Sequence, residues 1–473
     1  MLKSLAKNST LYYLSTLLSK GISFFLLPLY TSLLTQENYG VLELMSIIST
    51  MIIILFTFQI GQGVARFYNE LRNQKHIQIY TSTVTFFALA SFAIFSLLVM
   101  LFLPQIAQYL NLSISATILA VLSVGLNGLF YLAQNQLRCK IKPVQEMLSS
   151  LIYNLFTIGL TVYFLVILEE GLIGIFKAQC IGAFLGLLFA VTSTWKDYST
   201  YFSMVVLKKL LRFSLPLIPS ALAIFIYMFT DRICIKEMLG MEELGVYSVG
   251  NKIATILNFA GIGVLTALGP LIYKHYKEES TPEKIALLFR IFSSLSFILV
   301  AFLSFFAGYV IETMTNDSYS DAIAIIPYLL FAVYLNSLTI FFPGLAIAEK
   351  PGIISVISII AGVINLILNV FLIPLYGIKA AAIATFISYG LNFLLLYTFA
   401  QKEYPIKVTL WPIVLVTVVF FLSLIIIEYY KLGNQYNYVG FFLCSFISII
   451  GIMHKNDIIY IREKIAGIFN KKE

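Results

Sequence analysis

Three lysines stand inside long apolar runs of this sequence, where a charged side chain is costly unless something neutralises it. Lys20 is the deepest of them, because it lies eleven residues from Ser9 and fourteen from Leu34, the two ends of its run. At about 1.5 Å per helical residue it is roughly 16 Å or more from either end. A lysine stem reaches only about 6 Å when it snorkels. The sequence therefore predicts that Lys20 faces a polar cavity within the membrane.

The other two lysines are shallower. Lys177 and Lys252 lie six and seven residues from the ends of their apolar runs, where partial snorkelling can satisfy an ammonium group. Cavity-facing and interfacial positions both stay open for them. Arg232 lies at the end of another run and can equally be interfacial.

Acidic side chains are rarer inside the apolar runs, since Glu43 and Asp231 are the only ones of the 23 Asp and Glu that are clearly set into them. Asp231 can also pair locally with Arg232. An interior with more fixed positive than negative charge favours an anionic substrate, and phosphate or pyrophosphate fits. Glu43 and Asp231 are candidates for coupling transport to H⁺ or Na⁺.

Neither a metal centre nor a cofactor is predicted. The three histidines, His76, His275 and His454, lie in loops, and the four cysteines form no Cys-x-x-Cys pair. No disulfide framework is indicated, and no catalytic residue is assigned.

The composition identifies the elements that must position these side chains. Of the 473 residues, 60% are hydrophobic and only 11% are charged, which excludes a water-soluble fold. Residues 51–60 are continuously apolar, which is typical of membrane helices rather than of barrel strands. Runs long enough to cross a ~30 Å hydrocarbon core begin near Ser9, Val41, Ile79, Ser113, Gln145, Leu172, Phe213, Val246, Ile285, Ala322, Ile353, Ile378, Thr409 and Asn437. The sequence thus predicts an all-α integral membrane protein with 14 transmembrane helices.

The distribution of Lys and Arg predicts the orientation. With the N-terminus in the cytoplasm, 24 of the 31 cations fall in cytoplasmic segments, 4 fall outside and 3 lie within spans. Short cytoplasmic loops collect Lys and Arg, so both termini are predicted to be cytoplasmic. The net charge of +8 reflects this topology, and no nucleic-acid partner is indicated.

The two halves of the chain are similar to each other. A shift of about 205 residues lays Glu37 and Gly40 on Glu242 and Gly245, and the starts of six consecutive spans then match within about five residues. Chance matches of Gly and apolar residues are the alternative. The repeat predicts two six-helix bundles in parallel orientation that work by alternating access. The predicted parts are bundles at 1–195 and 196–401 and an extra helix pair with a cytoplasmic tail at 402–473.

Several motifs carry a resemblance to a known family. The run from Asn365 to Tyr389, which contains Asn369, Pro374 and Gly377, resembles the signature of polysaccharide-biosynthesis flippases. Further matching segments are Thr230-Asp231-Arg232 with the residues up to Lys252, Pro28-Leu-Tyr30, Tyr39-Gly40 and Arg66-Phe67-Tyr68. The chain is therefore identified as similar to the oligosaccharide (Wzx-like) flippases. Their superfamily also holds MATE-type multidrug exporters and lipid II flippases.

This resemblance implies two six-helix bundles around a central cavity. It implies a flippase that moves undecaprenyl-pyrophosphate-linked glycans across the bacterial inner membrane for O-antigen, capsule or exopolysaccharide synthesis. The implied partners are membrane lipids, a polysaccharide polymerase and chain-length proteins. The cations expected to bind the pyrophosphate are Lys20, Arg66, Lys177, Arg232 and Lys252.

Two other functions compete with this one. A MATE-type drug exporter usually presents a carboxylate early in the chain, whereas the first span here carries Lys20 and no acid. A membrane glycan polymerase or ligase generally needs large outer loops, and the outer loops here are short. An enzyme is therefore not expected.

Overall fold

The computed structural model describes residues 24, 26–71, 73–430, 433, 435–453 and 457. Helices make up nearly all of these ranges, and no β-strand occurs within them. The predicted all-α membrane fold is confirmed. The first predicted span, which contains Lys20, lies largely outside the described residues.

The chain divides into two compact units, Met1–Ser248 and Val249–Glu473. The helices that begin in the first unit are α1 (Leu27–Leu33), α2 (Gln36–Thr57), α3 (Ile60–Phe67), α4 (Gln74–Leu101), α5 (Leu103–Tyr109), α6 (Ile114–Cys139), α7 (Pro143–Val162), α8 (Gly171–Ser193), α9 (Met204–Ser214), α10 (Ile218–Met238) and α11 (Met241–Ala254). The bundle boundary predicted at residue 195 concerns the sequence repeat and stays a prediction.

The second unit continues from the end of α11. Its helices are α12 (Leu257–His275), α13 (Thr281–Phe305), α14 (Ala307–Met314), α15 (Ile326–Leu338), α16 (Gly344–Ile347), α17 (Pro351–Glu403), α18 (Trp411–Tyr429) and α19 (Gln435–Ile452). Phe420 of α18 packs its ring 5.9 Å from Phe297 and 5.2 Å from Phe331, measured between centroids. The first contact is edge-to-face and the second is tilted, and together they pack α18 on the core of the unit.

Eleven helical segments of the described chain are long and apolar enough to cross a membrane. One of them, α17, has 53 residues, about 80 Å at helical rise and more than twice the hydrocarbon thickness. It bends at Gly377, whose φ of 62° and ψ of −147° suit a residue without Cβ. A single crossing takes about 20 residues, so α17 is long enough to cross twice, and the eleven segments can hold more than eleven crossings. The total of 14 stays a prediction.

Polar residues set the starts of several spans. The side chains of Thr35 and Asn73 accept hydrogen bonds from the backbone N–H groups of Asn38 (3.2 Å) and His76 (2.9 Å), which caps α2 and α4. Proline occupies the first turn of α7 and α17, where its missing N–H costs nothing. These caps place the helix starts a few residues before the apolar runs themselves.

The halves share unusual backbone features at nearly constant offsets. Ile141 has a φ of 55° just before Lys142-Pro143, and 208 residues later Glu349 has a φ of 56° just before Lys350-Pro351. Non-glycine residues seldom adopt such left-handed conformations, so a coincidence of this kind is informative. The same kind of match links Gly171 (φ 57°) and Gly377 (φ 62°), 206 residues apart. The backbone thus repeats along with the sequence.

Candidate functional site

Two helices of the first unit meet through a pair of glycines. A Cβ added to Gly40 of α2 would stand 2.0 Å from the carbonyl oxygen of Met241, and one added to Gly245 of α11 would stand 2.1 Å from that of Gln36. Real Cβ atoms never come so close to backbone, so only glycine allows this approach. Gln36 and Met241 are 205 residues apart, as are Gly40 and Gly245. Each side of the contact is therefore the repeat equivalent of the other.

A polar cluster surrounds the same end of this unit. Tyr109, at the end of α5, donates its hydroxyl to the carboxylate of Glu237, and the Lys236 ammonium lies 3.2 Å from the Tyr109 ring centroid. The Lys236 Nζ is also 2.9 Å from Glu237 Oε1. Asn111 donates to Glu37 Oε1 at 2.9 Å, near the start of α2. These contacts tie the α5–α6 connection to α2 and to the end of α10.

Asp231 and Arg232, both predicted as site residues, lie side by side on α10. Asp231 is buried and accepts a hydrogen bond of 2.6 Å from the hydroxyl of Tyr247, which is buried on α11. Its other oxygen accepts the Arg232 backbone N–H at 2.8 Å, and the Arg232 guanidinium lies 5.2 Å from the Phe229 ring centroid. The Tyr247 hydroxyl and the Arg232 backbone N–H therefore each donate to one oxygen of the Asp231 carboxylate.

The remaining predicted residues lie in other places. Lys177 Nζ is 2.7 Å from the carboxylate of Glu170, near the start of α8, and 5.6 Å from the Phe164 ring centroid. Its charge is therefore already balanced. Glu43 accepts a hydrogen bond of 3.2 Å from the Tyr39 hydroxyl within α2. Lys252 is half-buried on α11, in the second unit.

Arg66, at the end of α3, is exposed and pairs with Glu70 at 3.2 Å. Lys209 of α9 also reaches Glu70, at 3.1 Å, and lies 4.3 Å from the Phe67 ring centroid. Asp231 and Arg232 are thus neighbours on α10, Lys177 and Arg66 pair with other carboxylates, and Lys20 lies outside the described residues.

Two buried asparagines of the second unit form an amide cluster. The sequence analysis names them only as part of the segment that resembles the flippase signature. Asn369 and Asn365 on α17 are almost fully buried, and Asn369 Nδ2 donates to the backbone and side-chain oxygens of Asn365 at 2.9 Å each. Within the described chain, Asn369 Oδ1 has no hydrogen-bond donor. A buried acceptor of this kind suits a water molecule or a hard cation. No group of three His, Cys, Asp or Glu residues suited to a metal occurs in the described ranges.

Three buried carboxylates, Glu146, Asp197 and Asp457, were missed by sequence reasoning, and Asp197 is the most deeply buried of them. Asp197 follows α8 in a polar segment, yet it is fully buried and lies 2.7 Å from the Lys140 ammonium. Gln74 and Gln136 also donate to it, at 2.9 Å and 3.2 Å. Burial beside it raises the pKa of Tyr198 to about 12. Asp197 therefore ties together the ends of α4, α6 and α8.

Asp197→Ala should lower the free energy of unfolding by about 3 kcal/mol, because it leaves the partly buried Lys140 ammonium and two amides without their acceptor. The measurement is reversible unfolding of the purified protein in mixed micelles. Glu70→Ala is the control, since it removes two exposed pairs, with Arg66 and Lys209, each worth about 1 kcal/mol or less. Equal losses in the two variants would contradict a structural role for Asp197.

The fold and the glycine contact define a polytopic membrane protein with the internal repeat typical of transporters. The chain belongs to the polysaccharide biosynthesis protein family, whose sequence model matches residues 5–276, more than half of its 473 residues.

Two relatives align with more than half of the chain. An uncharacterized membrane protein of Methanocaldococcus jannaschii is 23% identical, covering 96% of this chain and 97% of its own. A Lsg locus protein of Haemophilus influenzae is 23% identical over 58% of this chain and 67% of its own.

Two solved structures share the fold. The inward closed conformation of the lipid II flippase MurJ superposes with a TM-score of 0.72 at 15% identity, covering 96% of this chain and all of its own. An inward-facing multidrug resistance MATE family transporter of the MOP superfamily superposes with a TM-score of 0.63 at 18% identity. The match covers 84% of this chain and 94% of the transporter. Both are structures of transport proteins rather than enzymes.

Proposed function

We propose that this protein is a flippase that moves undecaprenyl-pyrophosphate-linked glycans across the bacterial inner membrane by alternating access. The observation that carries the proposal is the contact between Gly40 and Gly245. The contact joins α2 and α11, which are equivalent in the two copies of the repeat, through a close approach of their backbones at one end of the unit. A contact without interlocking side chains can part and re-form, which alternating access requires at one face of the membrane.

The substrate class is supported by family and by charge. The family is one of polysaccharide biosynthesis, and the flippase that shares the fold acts on lipid II. Lys20, Arg232 and Lys252 would neutralise the pyrophosphate as it crosses, and Arg66 would join them after leaving Glu70, with which it pairs at 3.2 Å. Lys177 would take part only after leaving Glu170, since that carboxylate already balances its charge.

Coupling to an ion completes the proposal. Asp231, held by Tyr247, and Glu43, held by Tyr39, would exchange H⁺, while the Asn365–Asn369 oxygens offer a place for Na⁺. No cofactor is involved. The protein would act as a transporter rather than an enzyme, among membrane lipids and next to a polysaccharide polymerase and chain-length proteins.

The test is reconstitution of the purified protein with undecaprenyl-pyrophosphate carrying a fluorescent disaccharide. Proteoliposomes should make nearly all of the fluorophore accessible to an impermeant quencher, whereas protein-free vesicles should leave about half protected. Protection that is the same in both would contradict the flippase function. Resistance to cationic dyes in a drug-sensitive host would instead favour a drug exporter.

Orientation is tested separately. Because cations are concentrated on one side of the predicted spans, reporter fusions near Thr35, Pro104 and Glu169 should report outside, and those near Gln74 and Lys142 should report the cytoplasm. A consistent inversion would overturn the proposed cytoplasmic termini.

A further inference from the structure

The segment that joins α8 to α10 carries an amphipathic helix. Leu207, Leu210 and Ser214 of α9 are buried, and the leucines join a core cluster with Ile60 and Val64. At 100° per residue, Lys208 and Arg212 point to the opposite side, next to Val205, whose side chain is 79% exposed. One face of α9 is therefore fixed to the protein, and the other is basic.

Large apolar side chains stand beside this basic face without protein to cover them. Trp195 is 67% exposed, and Tyr201, Phe202 and Met204 are about half exposed. The segment is not a loose loop, because the backbone N–H groups of Ser199 and Ser203 donate to Ser82 and Thr83 of α4, at 2.8 Å and 3.0 Å. Exposed aromatic rings held in place next to cations are characteristic of a membrane–water interface.

Part of the positive charge of this surface has no acidic partner among the described residues. Lys209 forms an ion pair with Glu70. The Asp197 carboxylate, which belongs to the same segment, forms its ion pair with Lys140. Within the described ranges no acidic side chain pairs with Lys208 or Arg212. Further cations lie nearby, since the Lys75 ammonium is 6.0 Å from the Tyr201 ring centroid and that of Lys196 is 5.7 Å from the Trp195 ring.

We propose that Trp195 to Phe213 forms a docking surface for anionic phospholipid headgroups, with Lys208 and Arg212 facing the phosphates and the exposed aromatic rings seated in the interface. Both features are needed, because a basic amphipathic helix binds membranes through apolar insertion together with attraction to anionic lipid. The surface is independent of the proposed substrate. If the cations only set topology, the segment would show no more preference for anionic lipid than other loops on its side of the membrane.

The two tryptophans of the chain allow a direct test. Trp411→Phe leaves Trp195 as the reporter of this surface, and Trp195→Phe leaves Trp411, which begins α18 near Lys407, as a comparison in another loop. The full-length protein is reconstituted in phosphatidylcholine with one tenth phosphatidylglycerol. Bromine is placed on the acyl chains of either lipid, so that fluorescence quenching reports which lipid lies next to each tryptophan.

Brominated phosphatidylglycerol should be enriched about fivefold at Trp195 relative to Trp411. A cation near the surface raises the local concentration of anionic headgroups by about that factor. Lys208→Gln with Arg212→Gln should remove most of this enrichment, as should 0.5 M salt. Lys402→Gln with Lys407→Gln removes the same charge elsewhere and should leave Trp195 unchanged. Equal enrichment at both tryptophans, or enrichment that persists in a folded Lys208/Arg212 double variant, would overturn the proposal.

Discussion

Gly40→Ala should reduce transport about tenfold or more while leaving the protein in the membrane. The new methyl group would lie 2.0 Å from the Met241 carbonyl oxygen, so the state in which α2 and α11 touch would lose stability. Overpacking typically costs 1–3 kcal/mol, and 1.4 kcal/mol changes a population about tenfold. A flippase that cannot close one face of the membrane cannot complete its cycle.

The repeat supplies an internal check on this prediction. Gly245→Ala should have the same effect, because its methyl group would meet the Gln36 carbonyl oxygen at 2.1 Å. Gly159→Ala on α7 is the matched control, since a Cβ there meets nothing within 4 Å. The measurements are flipping by reconstituted protein and maleimide labelling of Gln36→Cys in a cysteine-free background. Labelling of the cysteine at position 36 should rise in Gly40→Ala and in Gly245→Ala. Normal transport by either of these two variants would disprove the role of the contact.

Lys20→Ala should abolish flipping while the protein still accumulates at its normal level. The residue is too deep for easy snorkelling, and its charge suits a pyrophosphate passing through the membrane. Lys20→Arg should keep part of the activity, because the charge remains although a planar guanidinium meets phosphate differently from a compact ammonium. The measurement is surface glycan in a flippase-deleted strain, normalised to membrane protein.

Lys177 provides the contrast for this prediction. Lys177→Ala strands the Glu170 carboxylate, so the amount of folded protein should fall together with the glycan. If Lys20→Ala behaved in the same way, Lys20 would be a partner of a buried acid rather than of the substrate. Full glycan at normal abundance would remove Lys20 from the mechanism and leave Lys252 as the next candidate.

The sequence predicts the spans well because apolar length is a local property. The predicted starts at Gln145 and Ile353 lie two residues after the observed ones at Pro143 and Pro351. Turns inside spans are harder to predict. Phe58 and Gln59 adopt left-handed conformations that separate α2 from α3, although the surrounding residues continue the same apolar run.

The candidate site is harder to predict from the sequence, because it depends on contacts between residues that are far apart in the chain. The repeat makes Gly40 and Gly245 equivalent but does not predict that they touch. Asp197 lies in a polar segment and is expected to be solvated, yet Lys140 and two amides more than 50 residues away bury it. The sequence leaves Lys177 open between a cavity and the interface, because its pairing with Glu170 depends on the conformation between α7 and α8.

The glycine contact has the form of a homodimer interface within one polypeptide. Each partner presents the same short surface, Gln36 to Gly40 on one side and Met241 to Gly245 on the other, as two identical subunits do across a two-fold axis. At these two positions each backbone leaves no room for a side chain on the other, so a substitution on either side disturbs the same contact.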